Sequence, residues 1–536
     1  MAESKKQNFL HGAMILTAGL AVIKVLGAIY KIPIANILGK EGYGMFLAAY
    51  NVYNVFYTIS TAGVPVAMAR LIAEAEAEGR SLQTRRYYRT GLVTFFVIGL
   101  VCSLAMFLFP TELAASIDHV SAAQSIWALS PAVLLCCLVA VYRGFTQGHS
   151  NMIPTAVSQI LEVLFKLIFG LALVIIFTHM GKSTPLRCAA AISGVTIGSF
   201  IALIYLIWYK HKYYAEKPVA KGENDVPDSY GKTLKTLLVV MIPISIGASV
   251  QSVFNLIDTK LIMNRLQLAA GYTYEAASGL YGVYGEAQTL YNLPSTIITA
   301  ISVSLVPTIA AHFALKNMKG AKDTSETALR ITAVMALPMA VGLCVLAHPI
   351  MNVLYWGEAE GGAAMLAVLG LASFFLCMVT VLTGILQAGG KERLPVVAAV
   401  VGGLFKVAIN WVLLAMPSIN IYGAPIGNLC CYFLICAMDY LYVKKCLGCY
   451  LNLGKILLRP LVSTLAMGAT ALGAYGLSAM AIGVAGRFQM LLCLAVGIGA
   501  AVVVYAVMII KTKSITAEDM HLIPKGDKIA KLLHME

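Results

Sequence analysis

Four ionisable side chains stand deep inside long apolar runs. Lys24 sits in AGLAVIKVLGAIYK (18–31), Glu162 and Lys166 in the run 152–179, and Lys406 in 394–416. At 1.5 Å per residue of helix, Lys24 lies roughly 20 Å into its run, and Glu162, Lys166 and Lys406 roughly 15–20 Å into theirs. An ammonium at bilayer depth costs about 2.5–3.5 kcal/mol or more unless it faces a cavity or a partner. Glu162 and Lys166 are four residues apart, so either they pair on one helix face or they face a cavity, and both readings stay open. Lys24 and Lys406 have no such local partner and are expected to face a cavity. Bases dominate this deep set, so a cavity lined by it suits an anion such as a phosphate or diphosphate. A pump for organic cations is expected to display carboxylates instead.

Other candidates are shallower. Arg70, Arg143 and Asp439 lie near one end of their runs, where long side chains are expected to snorkel to the interface. Lys31, Asp258 and Lys260 lie toward the opposite ends. Tyr50, Tyr53, Asn54 and Tyr57 recur at helical spacing and put rings and an amide on one face, which suits a sugar or a headgroup and equally suits helix packing. The 12 cysteines mostly sit inside apolar runs, where a thiol packs as a small hydrophobe. The lone Cys446-Leu-Gly-Cys449 has no second pair or nearby histidine to complete a metal site. No paired carboxylates with a supporting base, phosphate loop or metal-spaced cluster stands in the short loops, which argues against a membrane enzyme.

The elements that must hold these groups are plain in the composition. A mean hydropathy of +0.81 with 59% hydrophobic residues is far from that of a soluble domain. Apolar stretches of spanning length recur from end to end, beginning with 9–34 and 43–72 and including 280–312. The net charge of +14 is carried by short loops on one side of the spans, which places both termini and the loop 210–235 in the cytoplasm. A shift of 238 residues aligns 43–62 with 281–300, and Tyr43, Gly44, Ala49, Tyr53, Asn54, Thr58, Ile59 and Ala62 all recur. Near the same shift, Gly144, Gln147 and Leu164-Phe165-Lys166 meet Gly384, Gln387 and Leu404-Phe405-Lys406.

The expected fold is an all-α polytopic membrane protein of about 14 transmembrane helices. It has two six-helix lobes in parallel repeat and two further C-terminal helices. The expected boundaries are an N-lobe at 1–212, a cytoplasmic linker at 213–233, a C-lobe at 234–445, two spans at 446–512 and a cytoplasmic tail at 513–536. Pro154, Pro243, Pro294, Pro338 and Pro395 are expected to kink or terminate helices.

These residues also carry a family likeness. GAMILTAGLAVIKVLGAIYKIPIANILGKEGYGMF, STAGVPVAMARLIAE, VYRGFTQGHSNMIPTAVSQILE (141–162) and SLVPTIA (304–310) resemble bacterial polysaccharide-biosynthesis flippases. Those belong to the multidrug/oligosaccharidyl-lipid/polysaccharide (MOP) exporter superfamily, and the likeness is to its stage V sporulation protein B and MurJ-type lipid II flippase group. The resemblance implies a non-enzymatic, multi-pass protein of the bacterial plasma membrane. It would move an undecaprenyl-diphosphate-linked peptidoglycan precursor (lipid II), or a related lipid-linked oligosaccharide, to the outer leaflet by alternating access. A cation-coupled multidrug exporter of the same superfamily is the alternative.

Lys24 matches the cation of the family's first span. Thr289, with Glu286 nearby, and Tyr50 and Asn51 stand where further cations are expected, which moves the reading toward the sporulation-type branch. The candidate substrate-cavity set is therefore Lys24, Lys31, Tyr50, Asn54, Arg143, Gln147, Glu162, Lys166, Gln387 and Lys406. Asp258 and Asn410 are candidates for coupling to Na⁺ or H⁺, and no other cofactor or metal is implied. Expected partners are the lipid-linked substrate, membrane lipids and cell-wall synthesis enzymes, with no nucleic acid.

Overall fold

The computed structural model describes residues 2–216, 226–355, 359–484, 486–512 and 514, without most side chains of the first 28 residues. The described chain is helical, with no strand. Twelve helical segments are long and apolar enough to cross a membrane. It is an all-α polytopic membrane protein.

The chain divides into two compact units, Met1–Gly282 and Val283–Glu536. The first holds α1 (Ala2–Thr61), α2 (Val64–Ala77), α3 (Ser81–Leu108), α4 (Pro110–Ser116), α5 (Ala123–Gly148), α6 (Ile153–His179), α7 (Thr184–Glu216) and α8 (Tyr230–Leu268). The division falls within α9 (Tyr274–Tyr291). The second unit continues with α10 (Leu293–Ala314), α11 (Met318–Val345), α12 (Ala347–Leu354), α13 (Ala359–Ala388), α14 (Arg393–Leu413) and α15 (Gly423–Leu447), and closes with α16 (Arg459–Ile482) and α17 (Arg487–Thr512). The repeat boundary expected at 213–233 is a different quantity from this spatial division. Much of that linker (217–225), and the tail 513–536 apart from Ser514, lie outside the described residues.

Local chemistry sets the helix ends. Pro65, Pro110, Pro154, Pro294 and Pro460 all open helices, where the missing N–H costs nothing and the fixed φ is already helical. Pro33, Pro243 and Pro338 stand inside α1, α8 and α11. The expected gap between spans 9–34 and 43–72 falls where α1 breaks direction, at the non-helical Gly39 (φ 70°, ψ 171°); the second expected span is itself divided, because α1 ends at Thr61 and α2 opens with Val64-Pro65. A side chain at Gly39 would be strained by that positive φ. The expected span 280–312 is interrupted at Asn292, between α9 and α10.

Each unit has its own dry core. In the first, Met68, Ile72, Phe95, Val141, Phe145, Ala202 and Leu237 bring α2, α3, α5, α7 and α8 together. In the second, Leu329, Ala333, Met378, Leu382, Ile385 and Val443 join α11, α13 and α15. Helices α16 and α17 pack on α11 and α12 through Met467, Ala471, Leu494 and Leu346, and the Tyr505 hydroxyl donates to the Val334 carbonyl.

Candidate functional site

Two clusters of charge form within the first unit. The first begins on α1, where Tyr43, Phe46, Tyr50, Tyr53 and Tyr57 follow helical spacing. Their rings ladder along one face with successive centroids 5.6–6.0 Å apart. Tyr43 and Tyr53 are fully packed, while Tyr50 and Tyr57 remain half-buried. Helix α6 lays Lys166 against this ladder. Its Nζ donates to the Tyr50 hydroxyl at 3.2 Å and sits 4.8 Å and 5.0 Å from the Tyr50 and Tyr30 ring centroids. Ring faces attract an ammonium but do not neutralise it. Tyr30 is fixed by donating to the Ala191 carbonyl of α7 at 2.8 Å, and Gly170 of α6 leaves room for it, since a Cβ there would meet its Cε2 and hydroxyl. Lys31, the next residue on α1, is half-buried within electrostatic reach of Lys166. No carboxylate pairs with Lys31 or Lys166 among the described residues.

The second cluster explains why. Glu162 pairs with Arg143 of α5 (Nη2–Oε2 2.7 Å), not with Lys166 one turn along its own helix. The Arg143 Nε donates to Ser158 at 2.9 Å, and Ser199 of α7 donates to the other Glu162 oxygen at 3.4 Å. Cys136 of α5 extends the chain, 3.3 Å from the Ser199 hydroxyl and 3.4 Å from that of Tyr53. A guanidinium offers a planar fork of donors and out-competes an ammonium for one carboxylate. The local i,i+4 pairing open from sequence is therefore replaced by a bridge between helices, and Lys166 is left without a carboxylate partner among the described residues. Arg143 is also a correction to the snorkelling expectation, because only 9% of it is exposed. Arg70 does reach outward, pairing with Glu74 at 2.8 Å on the surface.

The remaining candidates are spread more widely. The Lys24 side chain lies outside the described residues. Asn54 is half-buried on α1 and its side chain makes no hydrogen bond among the described residues. Gln147 donates to Thr155 at 3.3 Å. Asp258 is buried on α8, in the first unit. Beside it, Thr259, Asn51 and Tyr281 form a closed triangle of hydrogen bonds, 2.9–3.0 Å on each side, that ties α1 and α8 to the start of α9. Gln387, Lys406 and Asn410 belong to the second unit. Gln387 is exposed at the end of α13, Lys406 is half-buried on α14, and Asn410, a turn further, is fully buried against Gly427 of α15.

Sequence reasoning missed Tyr30, Ser158, Ser199 and Cys136, whose types are unremarkable inside apolar runs. Missed too was His119, between α4 and α5, whose ring nitrogens meet the hydroxyls of Tyr274 (2.6 Å) and Ser278 (3.3 Å). Burial pushes His119 down to about 4, so its ring is neutral. The described residues contain no group of three or more metal-binding side chains.

Twelve helices of spanning length, and a lysine at membrane depth that rests on two tyrosine rings, fit a membrane transporter. Residues 9–313 match the polysaccharide biosynthesis protein family, and residues 281–412 match the MatE family. The chain belongs to the polysaccharide biosynthesis protein family, within the MOP-superfamily flippase group. It is 26% identical over 462 residues to "Lipid II flippase MurJ" of Bacillus subtilis (strain 168), covering 82% of this chain and 83% of that one. It is 28% identical over 446 residues to "Stage V sporulation protein B" of the same organism, covering 82% and 85%. The solved structure "Lipid II flippase MurJ, inward closed conformation" shares its fold at a TM-score of 0.68 and 16% identity, covering 92% of this chain and 98% of that one.

Proposed function

We propose that this protein is a flippase for an undecaprenyl-diphosphate-linked peptidoglycan precursor, lipid II or a close relative. It carries the precursor from the inner to the outer leaflet of the bacterial membrane by alternating access, with both termini in the cytoplasm. One observation carries the reading: Lys166, deep in α6, rests on the Tyr50 and Tyr30 rings with Lys31 in electrostatic reach and no carboxylate pairing either among the described residues, while Glu162, one turn along, is committed to Arg143. A diphosphate supplies the missing negative charge, and the Tyr30 and Tyr50 rings beside it offer apolar and hydrogen-bonding surface to a headgroup. The likeness to the Bacillus subtilis lipid II flippase supports the same cargo class.

The test is complementation of a strain depleted of its lipid II flippase, with outer-leaflet precursor measured directly. Wild type is expected to restore delivery. Lys31→Ala and Lys166→Ala are expected to fail at normal protein levels, and Lys166→Arg to retain partial activity. Full delivery by both alanine variants would overturn the proposal. Drug resistance without precursor delivery would favour a multidrug exporter.

A further inference from the structure

The second unit buries a carboxylate that nothing above uses. Asp439 stands on α15 two turns before its end, where a snorkelling group was expected, yet it is 0% exposed. Its Oδ2 accepts a hydrogen bond from Thr383 of α13 at 3.3 Å, and its Oδ1 has no partner among the described residues.

Among the described residues, no cation of the surrounding helices pairs with Asp439. Helix α13 carries a single charged residue, Glu360, at its far end. Helix α14 contributes Arg393 and Lys406, and α11 contributes Lys319, Lys322, Asp323, Glu326 and Arg330. Lys444 and Lys445 occupy the last turn of α15 itself. None of these pairs with Asp439. Cys436, one turn back, lies within electrostatic reach of it. The cytoplasmic side is stoppered. Val443 and Leu447 follow Asp439 at four and eight residues, on its own helix face. Together with Leu382 and Leu386 of α13 they are buried in the dry core.

An uncompensated carboxylate in such surroundings costs several kcal/mol. A hard metal ion would need about six oxygen ligands to replace its water, and here one carboxylate and one hydroxyl are at hand. We infer that Asp439 is a proton-binding site, occupied in this conformation and emptied when α13 and α15 part at the Val443–Leu447 plug. On release the carboxyl O–H bond breaks, its electron pair stays on Asp439, and the proton passes to cytoplasmic water. The ionised form then disfavours the closed packing of α13 on α15, so proton occupancy biases this unit between two states. The inference is independent of the cargo.

Infrared difference spectroscopy of the full-length protein in vesicles, titrated from about pH 5 to about pH 9, tests it. Wild type is expected to show a protonated-carboxyl stretch at neutral pH that moves in D₂O and fades as pH rises. Asp439→Asn removes it. Thr383→Val, which keeps the acid, shifts it, and Val443→Ala speeds its exchange several-fold. A neutral-pH spectrum that Asp439→Asn leaves unchanged would overturn the inference. So would a band that survives to the alkaline limit, or one indifferent to Thr383→Val. Exchange as fast in wild type as in Val443→Ala would remove the plug.

Discussion

At the scale of single residues, the Arg143–Glu162 bridge sets the charge of its surroundings. Breaking a largely buried pair leaves one ion without its partner, a loss of about 3–5 kcal/mol. Arg143→Met and Glu162→Gln are each expected to lower unfolding stability in detergent by that order. The Arg143→Met/Glu162→Leu double variant is expected to recover part of it, as a thermodynamic cycle would read out. Glu162→Gln carries a second signature, because it frees Arg143 beside an already cationic cluster. Weaker binding of an anionic probe in that variant would count against the cluster being anion-seeking.

His119 adds a pH dependence. Folded, it takes its proton at about 4 because burial disfavours the charged ring; unfolded, it takes it near 6.5. The unfolded chain therefore binds the extra proton in between. The stability due to a neutral His119 is complete above about pH 6.5 and drains as pH falls toward 4, by about 3 kcal/mol at most. Thermal unfolding between those limits is expected to flatten in His119→Asn. None of this was legible in the sequence. Residue type and depth located Glu162 and Lys166, but the choice of partner depended on which helix arrives alongside, and periodicity within one helix carries no such information.

At the scale of elements, residues 40–44 of α1 and the start of α9 approach backbone to backbone. A Cβ on Gly44 would strike the Ser278 carbonyl, and one on Gly282 the Lys40 carbonyl. Backbone cannot swing aside as a side chain does, so Gly282→Ala must push the two helices apart. Overpacking of this kind costs about 1–3 kcal/mol. Gly282→Ala is therefore expected to lower thermal stability, while Gly279→Ala, which meets only the flexible Lys40 side chain, should be milder. Equal effects would mean the close approach is not what limits the seam. Gly44 was visible from sequence as a repeated position, though its reason was not. Two helix starts were legible at Pro154 and Pro294, whereas Pro65, Pro110 and Pro460, which also open helices, were not singled out. The breaks after Thr61 and at Asn292 were not legible, since hydropathy measures burial in lipid and is blind to a single residue's φ.

At the scale of the whole molecule, the sequence repeat pairs Lys166 on α6 with Lys406 on α14, one in each unit and both half-buried. Hydropathy marks both lysines as costly, and the register of Leu-Phe-Lys in the two halves marks them as equivalents. If both serve one translocation path, the cargo must satisfy them in the same cycle, and losing either stalls that cycle. Lys166→Ala and Lys406→Ala are then each expected to cut outer-leaflet delivery by at least about tenfold, and the double variant should fall little below the weaker single. Residues acting independently would instead multiply their losses, giving on the order of a hundredfold or more in the double. Matched protein levels and a preserved unfolding temperature separate this from misfolding. Multiplicative losses would assign the two lysines to separate tasks despite their common origin.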